Sequence, residues 1–272
     1  MNIVFIGGGN MASAMIGGLL KQGQPASAIH VVDRNEEARA RTTSDFGTPV
    51  SESLADDAAR QAVSAADVIV LAVKPQVLEG VAGELGGLLQ HALVLSIAAG
   101  VTVASLQQWL GGRYTNLIRV MPNTPALIGK GMTGGYVPEG VPGTSRDAAQ
   151  FVLEAAGEVV WFDNEEALDA VTALSGSGPA YVFYFMEAMQ QQAIELGLPP
   201  EAAHQMVRAT FVGAAEMARQ SPLDLAQLRQ NVTSKGGTTA AAIAALDAGN
   251  CFETVKSALA AAHARSVEMR GG

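Results

Sequence analysis

Residues 2–12 of the chain read Asn-Ile-Val-Phe-Ile-Gly-Gly-Gly-Asn-Met-Ala. The first five form a short, β-branched apolar run with the length of a buried strand, and the glycines that follow end it. Apolar side chains then recur at helical spacing as far as Leu20, so the segment predicts a strand, a glycine turn and a helix. Gly7, Gly9 and Ala12 occupy the three small-residue positions of the dinucleotide-binding pattern G-x-G-x-x-G/A.

Each small residue of this pattern has its own role. Gly7 permits the tight turn, Gly9 lets a pyrophosphate approach the backbone, and Ala12 keeps the helix close to the strand. The unpaired N–H groups and the positive dipole end of the helix then face the anion. A second apolar strand over residues 29–32 ends in Asp33, about 20 residues further on, where a ribose-binding acid is expected. The combined pattern predicts a dinucleotide cofactor.

Asp33 and Arg34 point to different forms of that cofactor. An acid suits the free 2′-hydroxyl of NAD, whereas an adjacent arginine can pair with the 2′-phosphate of NADP or stack on adenine. The alternative for Arg34 is an ordinary solvated loop arginine. The pair permits both cofactors, and we expect NADPH to be used, with NADH also accepted.

Length and composition indicate a globular protein with one large domain or two modest ones. The chain has 272 residues, 49% of them hydrophobic, and no apolar run reaches membrane-spanning length. The sequence starts without a basic segment or a leader-like apolar core, so we expect a cytoplasmic location. A net charge of −9 repels nucleic acid and anionic membranes, so we expect neither as a partner.

The cysteine and histidine content gives no sign of a metal site. Cys251 is the only cysteine of the sequence, which excludes an intrachain disulfide and a multi-thiolate metal site. The four histidines are scattered without ligand spacing, and an isolated histidine is more often a surface or core residue than a ligand. We therefore expect no bound metal.

Helices and strands alternate in the prediction as far as Phe162. The strand over residues 68–73 is apolar without alternation, as expected for a strand that is covered on both faces. The alternation predicts a doubly wound α/β sheet in a dinucleotide-binding domain of residues 1–162. Helices are predicted over residues 35–45, 51–64, 103–110 and 145–156, and strands over residues 93–97, 116–121, 132–137 and 158–162.

Several residues follow predicted strands at the carboxyl edge of the sheet, where ligands of such folds bind. Lys74 is followed by Pro75, which is well placed to begin a helix. Ala99 and Gly100 are small and leave room for a ligand. Asn123 lies in a rigid loop between two prolines, for which an ordinary turn is the alternative interpretation.

From Asp163 onward strand signals vanish and alanine-rich helical periodicity takes over. We therefore predict an all-helical domain of residues 163–272, with helices that include residues 201–220, 224–231, 238–248 and 252–269. Tyr181, Phe185, Met189 and Leu196 form an apolar stripe, which we interpret as a packing face. The domain has a small core, and its many alanines favour close helix contacts, so we expect it to pack against a second subunit.

A second possible anion site precedes the helix that starts at residue 238. The segment from Ser234 to Thr239 reads Ser-Lys-Gly-Gly-Thr-Thr, with two glycines and two hydroxyls at a helix start. Backbone N–H groups in such a turn suit a carboxylate. The alternative is that Thr238 or Thr239 simply caps the helix.

At this point the chain resembles the pyrroline-5-carboxylate reductase family, which makes proline. The resemblance rests on segments that match in order along the whole length: residues 6–11, 72–75, 121–125 with 175–181, and 232–239. The last segment is the most diagnostic. The resemblance implies reduction of the cyclic imine by NAD(P)H, as well as a helical domain that interlocks into dimers, which often assemble further. It also implies that the partner subunit completes the substrate site.

The motif and the resemblance together assign the site residues. The loop at 234–239 would hold the substrate carboxylate on backbone amides, and Thr239 would hydrogen-bond the ring nitrogen as the catalytic residue. Contacts to the substrate are assigned to Val232, Ser234, Gly236, Gly237, Thr238 and Thr239. Contacts to the cofactor are assigned to Ile6, Gly7, Gly9, Asn10, Met11, Ala12, Asp33, Arg34, Ala72, Val73, Lys74, Pro75, Ala99, Gly100 and Asn123.

The sequence departs from the family pattern at two positions, and two alternative functions remain to be tested. Lys235 stands where many members have proline, and Asp33 replaces an asparagine often seen before the arginine. A β-hydroxyacid dehydrogenase of related build would need a catalytic lysine, yet the sequence has none between Lys130 and Lys235. A non-catalytic dinucleotide sensor would need no second anion site.

Overall fold

The computed structural model describes residues 1–270. The chain divides into two compact units. The first comprises residues 1–177 together with the chain from Ala262 onward, and the second comprises residues 178–261.

The first unit is built on a sheet of eight strands in the order β3-β2-β1-β4-β5-β6-β7-β8. Neighbouring strands are parallel except β6 and β7, which are antiparallel. This order, which starts at the centre and proceeds in both directions, confirms the predicted doubly wound sheet. The strands are β1 (Ile3–Ile6), β2 (Ile29–Val32), β3 (Val50–Ser51), β4 (Val68–Leu71), β5 (Leu93–Ser96), β6 (Leu117–Met121), β7 (Gly131–Tyr136) and β8 (Gly157–Phe162).

Helices connect these strands. Asn35 caps the second helix, since its side-chain oxygen accepts a hydrogen bond of 2.9 Å from the N–H of Ala38. Short 3₁₀ turns lie at Ala26–Ala28 and Thr124–Ile128, and a π-helix at Thr172–Gly176. The helices are α1 (Asn10–Lys21), α2 (Glu36–Phe46), α3 (Asp57–Ser64), α4 (Pro75–Gly86), α5 (Val103–Trp109), α6 (Gly143–Glu154) and α7 (Ala167–Val171).

The central strands are buried on both faces, which explains their continuous apolar sequences. Along β1, Ile3 and Phe5 pack in one hydrophobic cluster, whereas Val4 and Ile6 pack in another. Because successive side chains of a strand point to opposite faces, each strand contributes to two cores. Helices on both sides of the sheet complete these cores.

The helix predicted over residues 51–64 is wrong in its first part. Ser51 pairs with Val32 as the end of the short strand β3, and helix α3 begins only at Asp57. Between them the carboxylate of Asp56 accepts hydrogen bonds from the N–H groups of Glu52 and Ser53, at 2.9 and 3.2 Å. This side chain stabilises a turn that competes with the helix.

The second unit consists of helices. Apolar side chains lie on its surface: of the predicted stripe, Leu196 is 78% exposed and Met189 47%. Helices α8, α10 and α11 bury no residue. The apolar faces of this unit are therefore uncovered in a single chain. The helices are α8 (Gly178–Glu195), α9 (Pro200–Gln220), α10 (Leu225–Asn231), α11 (Thr238–Ala248) and α12 (Cys251–Arg270), whose last residues belong to the first unit.

Residues 163–177 and the end of α12 lie with the sheet, although the sequence analysis assigned them to the helical domain. Glu165 accepts a hydrogen bond of 2.9 Å from Arg119, a β6 residue that is only 2% exposed. Met269 of α12 contacts Gly100. The division into two domains after residue 162 therefore stays a prediction from the sequence.

Among residues 1–270, no helix is long and apolar enough to span a bilayer.

Candidate functional site

The glycine turn after β1 is shaped by close backbone contacts. Gly7 has a φ angle of +107°, and a Cβ atom there would stand 2.7 Å from the carbonyl oxygen of Ala72, just after β4. Its N–H donates a hydrogen bond of 2.8 Å to the carbonyl of Val32. Only glycine combines this φ angle with this approach of three chain segments.

Open space lies at the start of α1. Gly9 is the N-cap residue, no side chain caps the helix, and no atom lies within 4 Å of the position of a Cβ atom at Gly9. The first N–H groups of the helix, on Asn10, Met11 and Ala12, have no intrahelical acceptors. An uncapped helix start with open space in front of it fits a pyrophosphate. Ala12 itself is fully buried and lets α1 pack against the sheet.

Asp33 connects the end of β2 to the glycine turn. One carboxylate oxygen accepts a hydrogen bond of 2.6 Å from the N–H of Gly8, and the other accepts one of 2.8 Å from the N–H of Asn35. Each oxygen has a further lone pair, so the carboxylate can still accept a ribose hydroxyl. Asp33 therefore shapes the turn in addition to any contact with a ligand.

A cavity of about 350 Å³, here called the Asp33 cavity, opens beside this turn. Arg34 lies at its rim and forms an ion pair of 2.9 Å with Glu84 of α4. The N–H groups of the lining residues Ser53 and Glu52 lower the pKa of the Asp56 carboxyl, because hydrogen bonds to the carboxylate favour its charged form. The cavity is lined by Ile6, Gly7, Val32, Asp33, Arg34, Asn35, Glu52, Ser53, Leu54, Val73, Val77, Gly80, Val81 and Glu84.

The predicted residues after β4 lie at the carboxyl edge of the sheet. Lys74 is exposed and is the N-cap residue of α4, and Pro75 is the first residue of that helix, as predicted. Val73 lines the Asp33 cavity. The structure thus brings the predicted residues after β1, β2 and β4 to one edge, on which a dinucleotide can lie.

Gly100 has a different structural role from the one that the sequence analysis gave it. It is buried with a φ angle of +75°, and a Cβ atom there would stand 3.1 Å from the Cβ atom of Met269. The space beside this glycine is therefore occupied by α12. The cofactor contacts assigned to Ala99 and Gly100 stay predictions.

Asn123 is held by hydrogen bonds within the protein. Its side-chain oxygen accepts a hydrogen bond of 2.9 Å from the N–H of Met132, and its amide nitrogen donates one of 3.0 Å to the hydroxyl of Ser175. These contacts connect the loop after β6 to β7 and to the π-helix. Asn123 thus fixes the loop, and its contact with a cofactor stays a prediction.

In the second unit, the segment after α10 forms a compact turn. The N–H of Gly237 donates a hydrogen bond of 3.1 Å to the carbonyl of Ser234, and Gly236 has a φ angle of +72°. A Cβ atom at Gly237 would stand 2.5 Å from the Ser234 hydroxyl oxygen, so a side chain there would force the Ser234 side chain to move. Val232 and Lys235 are exposed.

The turn leads into α11 without a side-chain cap. The N-cap residue is Gly237, so the alternative in which Thr238 or Thr239 caps the helix is wrong. Thr239 is partly buried, and its hydroxyl has no hydrogen-bond partner within residues 1–270. The first N–H groups of α11 have no intrahelical acceptors either. The segment therefore offers several backbone donors, and the hydroxyls of Ser234, Thr238 and Thr239 all lack a hydrogen-bond partner within residues 1–270.

Sequence reasoning missed several residues around the Asp33 cavity. The side chain of Arg41 donates a hydrogen bond of 3.1 Å to the carbonyl of Gly8, and Arg39 donates to the carbonyls of Asp33 and Arg34. Glu84, which pairs with Arg34, lies on helix α4, 50 positions after Arg34 in the chain. The run of three glycines, Gly7–Gly9, was a usable signal for Gly8, but no local pattern marks Glu84.

Comparison with known proteins places this geometry in a family. Residues 165–269 match the family description "Pyrroline-5-carboxylate reductase dimerisation", and residues 2–100 match "NADP oxidoreductase coenzyme F420-dependent". The pyrroline-5-carboxylate reductase of Pseudomonas aeruginosa is 45% identical over 98% of this chain and 96% of its own length. The chain belongs to the pyrroline-5-carboxylate reductase family. The dimerisation match supports homo-oligomerisation.

Solved structures of the family have the same fold. A pyrroline-5-carboxylate reductase from Coxiella burnetii superposes with a TM-score of 0.89 at 40% identity, over 98% of both chains. The Plasmodium falciparum enzyme, solved with NADP bound, superposes with a TM-score of 0.87 at 27% identity, over 99% of this chain and 98% of its own.

Proposed function

We propose that this protein reduces pyrroline-5-carboxylate to proline with NAD(P)H, in the last step of proline biosynthesis. The observation that carries the proposal is the turn from Ser234 to Gly237, which leads into the uncapped helix α11. The Thr239 hydroxyl beside it has no hydrogen-bond partner in the described part of the chain, residues 1–270. Free backbone donors fit a carboxylate, and a hydroxyl beside them fits a ring nitrogen. Pyrroline-5-carboxylate carries both groups.

The reduction makes few demands on side chains. The reduced nicotinamide supplies the hydride, and the protein must orient the imine and allow a proton to reach the nitrogen. In our proposal the backbone N–H groups at the start of α11 hold the carboxylate, while Thr239 orients the nitrogen and passes on a proton from solvent or substrate. The uncapped start of α1 holds the pyrophosphate, with Lys74 and Asn123 helping to position the cofactor. No nucleophile takes part in this scheme.

The proposal also separates this chain from the rival dehydrogenases. Oxidation of a β-hydroxyacid needs a general base for the hydroxyl, which a lysine supplies in that group of enzymes. The sequence has no lysine between Lys130 and Lys235. A dinucleotide sensor without activity would have no use for the turn before α11.

A direct assay tests the proposal. The purified protein is mixed with pyrroline-5-carboxylate and NADPH or NADH, and oxidation of the nicotinamide is followed together with the appearance of proline. We expect turnover with both nucleotides. A second assay tests the rival activity: it supplies a β-hydroxyacid with NADP⁺ or NAD⁺, and we expect no reduction of the nucleotide. Oxidation of the β-hydroxyacid without reduction of the imine would overturn the proposal, and nucleotide binding with neither reaction would favour the sensor.

The assembly and the location belong to the same proposal. We infer a homodimer or a higher homo-oligomer, since helices α8, α10 and α11 leave their apolar faces uncovered in one chain. The cytoplasmic location and the lack of nucleic acid or membrane partners stay predictions from the sequence. So does the absence of a metal.

A further inference from the structure

Arg34, the residue expected to recognise a 2′-phosphate, already has a carboxylate partner. Its guanidinium lies 2.9 Å from Glu84 of α4, and the two side chains are 73% and 48% exposed. Both residues line the Asp33 cavity. A 2′-phosphate that binds Arg34 there must therefore compete with Glu84 for the guanidinium.

The charges around the Asp33 cavity oppose the binding of a 2′-phosphate. Asp33, Glu52 and Glu84 line it, whereas Arg34 is the one cationic residue of the lining. Arg39 lies outside the lining, and its guanidinium donates hydrogen bonds to the carbonyls of Asp33 and Arg34. Its distance to the carboxylate of Glu52 is 3.9 Å. A phosphate monoester carries about −1.5 to −2 charges near pH 7, so the three carboxylates repel it. A ribose hydroxyl has no such charge and can donate to a carboxylate.

Among the three carboxylates, Glu84 is the one that acts on Arg34 directly. Asp33 is held by the N–H groups of Gly8 and Asn35, so it is fixed in the turn. Glu52 is 69% exposed and is directed towards Arg39. Glu84 alone is within hydrogen-bond distance of the Arg34 guanidinium.

We propose that Glu84 is a specificity-determining residue for the cofactor, which lowers the preference for NADPH by pairing with Arg34 when no 2′-phosphate is bound. The inference rests on the proposed use of NAD(P)H at this cavity. NADPH binding breaks the ion pair and brings its phosphate near the released carboxylate. NADH binding leaves the pair intact. Glu84 thereby narrows the difference between the two affinities.

Equilibrium binding of the intact protein tests this role without reliance on turnover. The dissociation constants of NADPH and NADH are measured by calorimetry for the wild type and for Glu84→Gln, which keeps the size of the side chain. We expect the NADPH dissociation constant to fall by about 3- to 10-fold and that of NADH to change less than about 2-fold. The effect should shrink at high salt because the charges are exposed.

Matched variants separate a local effect from a change in net charge. Glu79→Gln removes one charge from an exposed position of the same helix, outside the cavity lining, and should leave both constants unchanged. In an Arg34→Ala background, Glu84→Gln should give a smaller gain for NADPH than in the wild type, because the ion pair is already lost. Adenosine 2′,5′-bisphosphate and 5′-AMP, which differ only in the 2′-phosphate, should reproduce the NADPH and NADH results.

Three outcomes would overturn the inference. They are an unchanged NADPH constant in Glu84→Gln, an equal gain for both nucleotides, and the same gain in Glu79→Gln. Failure of the proposed function gives a different result, since nucleotides would still bind with this pattern while pyrroline-5-carboxylate is not reduced. A wild-type protein that binds neither nucleotide would overturn both.

Discussion

The hydroxyl of Ser266 donates a buried hydrogen bond of 2.8 Å to a carboxylate oxygen of Asp169, 97 positions earlier in the chain. The two residues are 3% and 1% exposed. The other oxygen of Asp169 lies 3.4 Å from the Nε atom of Arg270. The end of α12 is therefore joined to α7, which explains why the last helical residues belong to the unit that contains the sheet.

We predict that Ser266→Ala lowers the free energy of unfolding by about 1–3 kcal/mol, because it leaves a buried carboxylate oxygen without its donor. Ser257→Ala removes a hydroxyl from an exposed position of the same helix and should change stability by less than about 0.5 kcal/mol. Urea unfolding at one fixed protein concentration measures both. Equal effects of the two variants would show that the buried contact contributes little.

The fold was predictable where local sequence determines it. β1, β2, β4 and β5 are continuous apolar runs between turn signals, so periodicity identified them within one or two residues. The start of α3 was wrong because the side chain of Asp56 stabilises a turn that periodicity does not reveal. The return of α12 to the sheet depends on contacts between distant positions, which no local pattern encodes.

The same distinction holds for the candidate site. Gly7 and Gly9 were identified because their roles follow from backbone geometry, which leaves a pattern in the sequence. Glu84 was missed, since its pairing with Arg34 joins positions 50 residues apart. The room expected at Gly100 is taken by Met269, which lies near the other end of the chain.

The two glycines of the turn should respond differently to substitution. Gly7→Ala should destabilise the protein, since the residue has a φ angle of +107° and its Cβ atom would collide with the Ala72 carbonyl. Gly9→Val should leave stability within about 1 kcal/mol, because open space surrounds the position, but should weaken binding of NADPH and NADH by at least about 10-fold. Thermal unfolding and calorimetric titration measure the two effects. Undiminished binding by Gly9→Val would place the pyrophosphate elsewhere.

Arg34→Ala should weaken NADPH binding more than NADH binding. Only NADPH has a 2′-phosphate that can lose its guanidinium partner, and we expect a loss of about 5- to 50-fold for NADPH and under about 2-fold for NADH. Calorimetry or the KM values of the two nucleotides report the difference. Arg34→Lys keeps the charge without the planar guanidinium and should lie between wild type and alanine. Equal losses for both nucleotides would mean that Arg34 does not recognise the phosphate.

Light scattering should report a dimer or a multiple of it at assay concentrations. The reason is the apolar surface of the helical unit, where Phe183 and Tyr184 are 64% and 71% exposed in one chain. Phe183→Glu should shift the protein towards smaller species and lower its unfolding temperature. A wild-type protein that is monomeric, stable and active would contradict this expectation.

Substitution of Thr239 tests whether the start of α11 binds the substrate or is only the start of a helix. Its hydroxyl caps nothing, since Gly237 is the N-cap residue of α11 and no side chain caps this helix. Thr239→Val keeps the shape of the side chain and removes the hydroxyl, so the free energy of unfolding should change by less than about 1 kcal/mol. A large loss of activity in this variant would then come from a lost contact with the substrate and not from unfolding.

If Thr239 orients or protonates the imine nitrogen, kcat/KM for pyrroline-5-carboxylate should fall by roughly 10- to 1000-fold in Thr239→Val, as expected for loss of one transition-state hydrogen bond or proton relay. NADPH affinity should barely change. Thr239→Ser keeps the hydroxyl and should retain most activity. Steady-state kinetics of the three proteins, with unfolding curves as a control, decide the question. Because the hydroxyl has no other partner among residues 1–270, an undiminished kcat/KM in Thr239→Val would refute its assigned role.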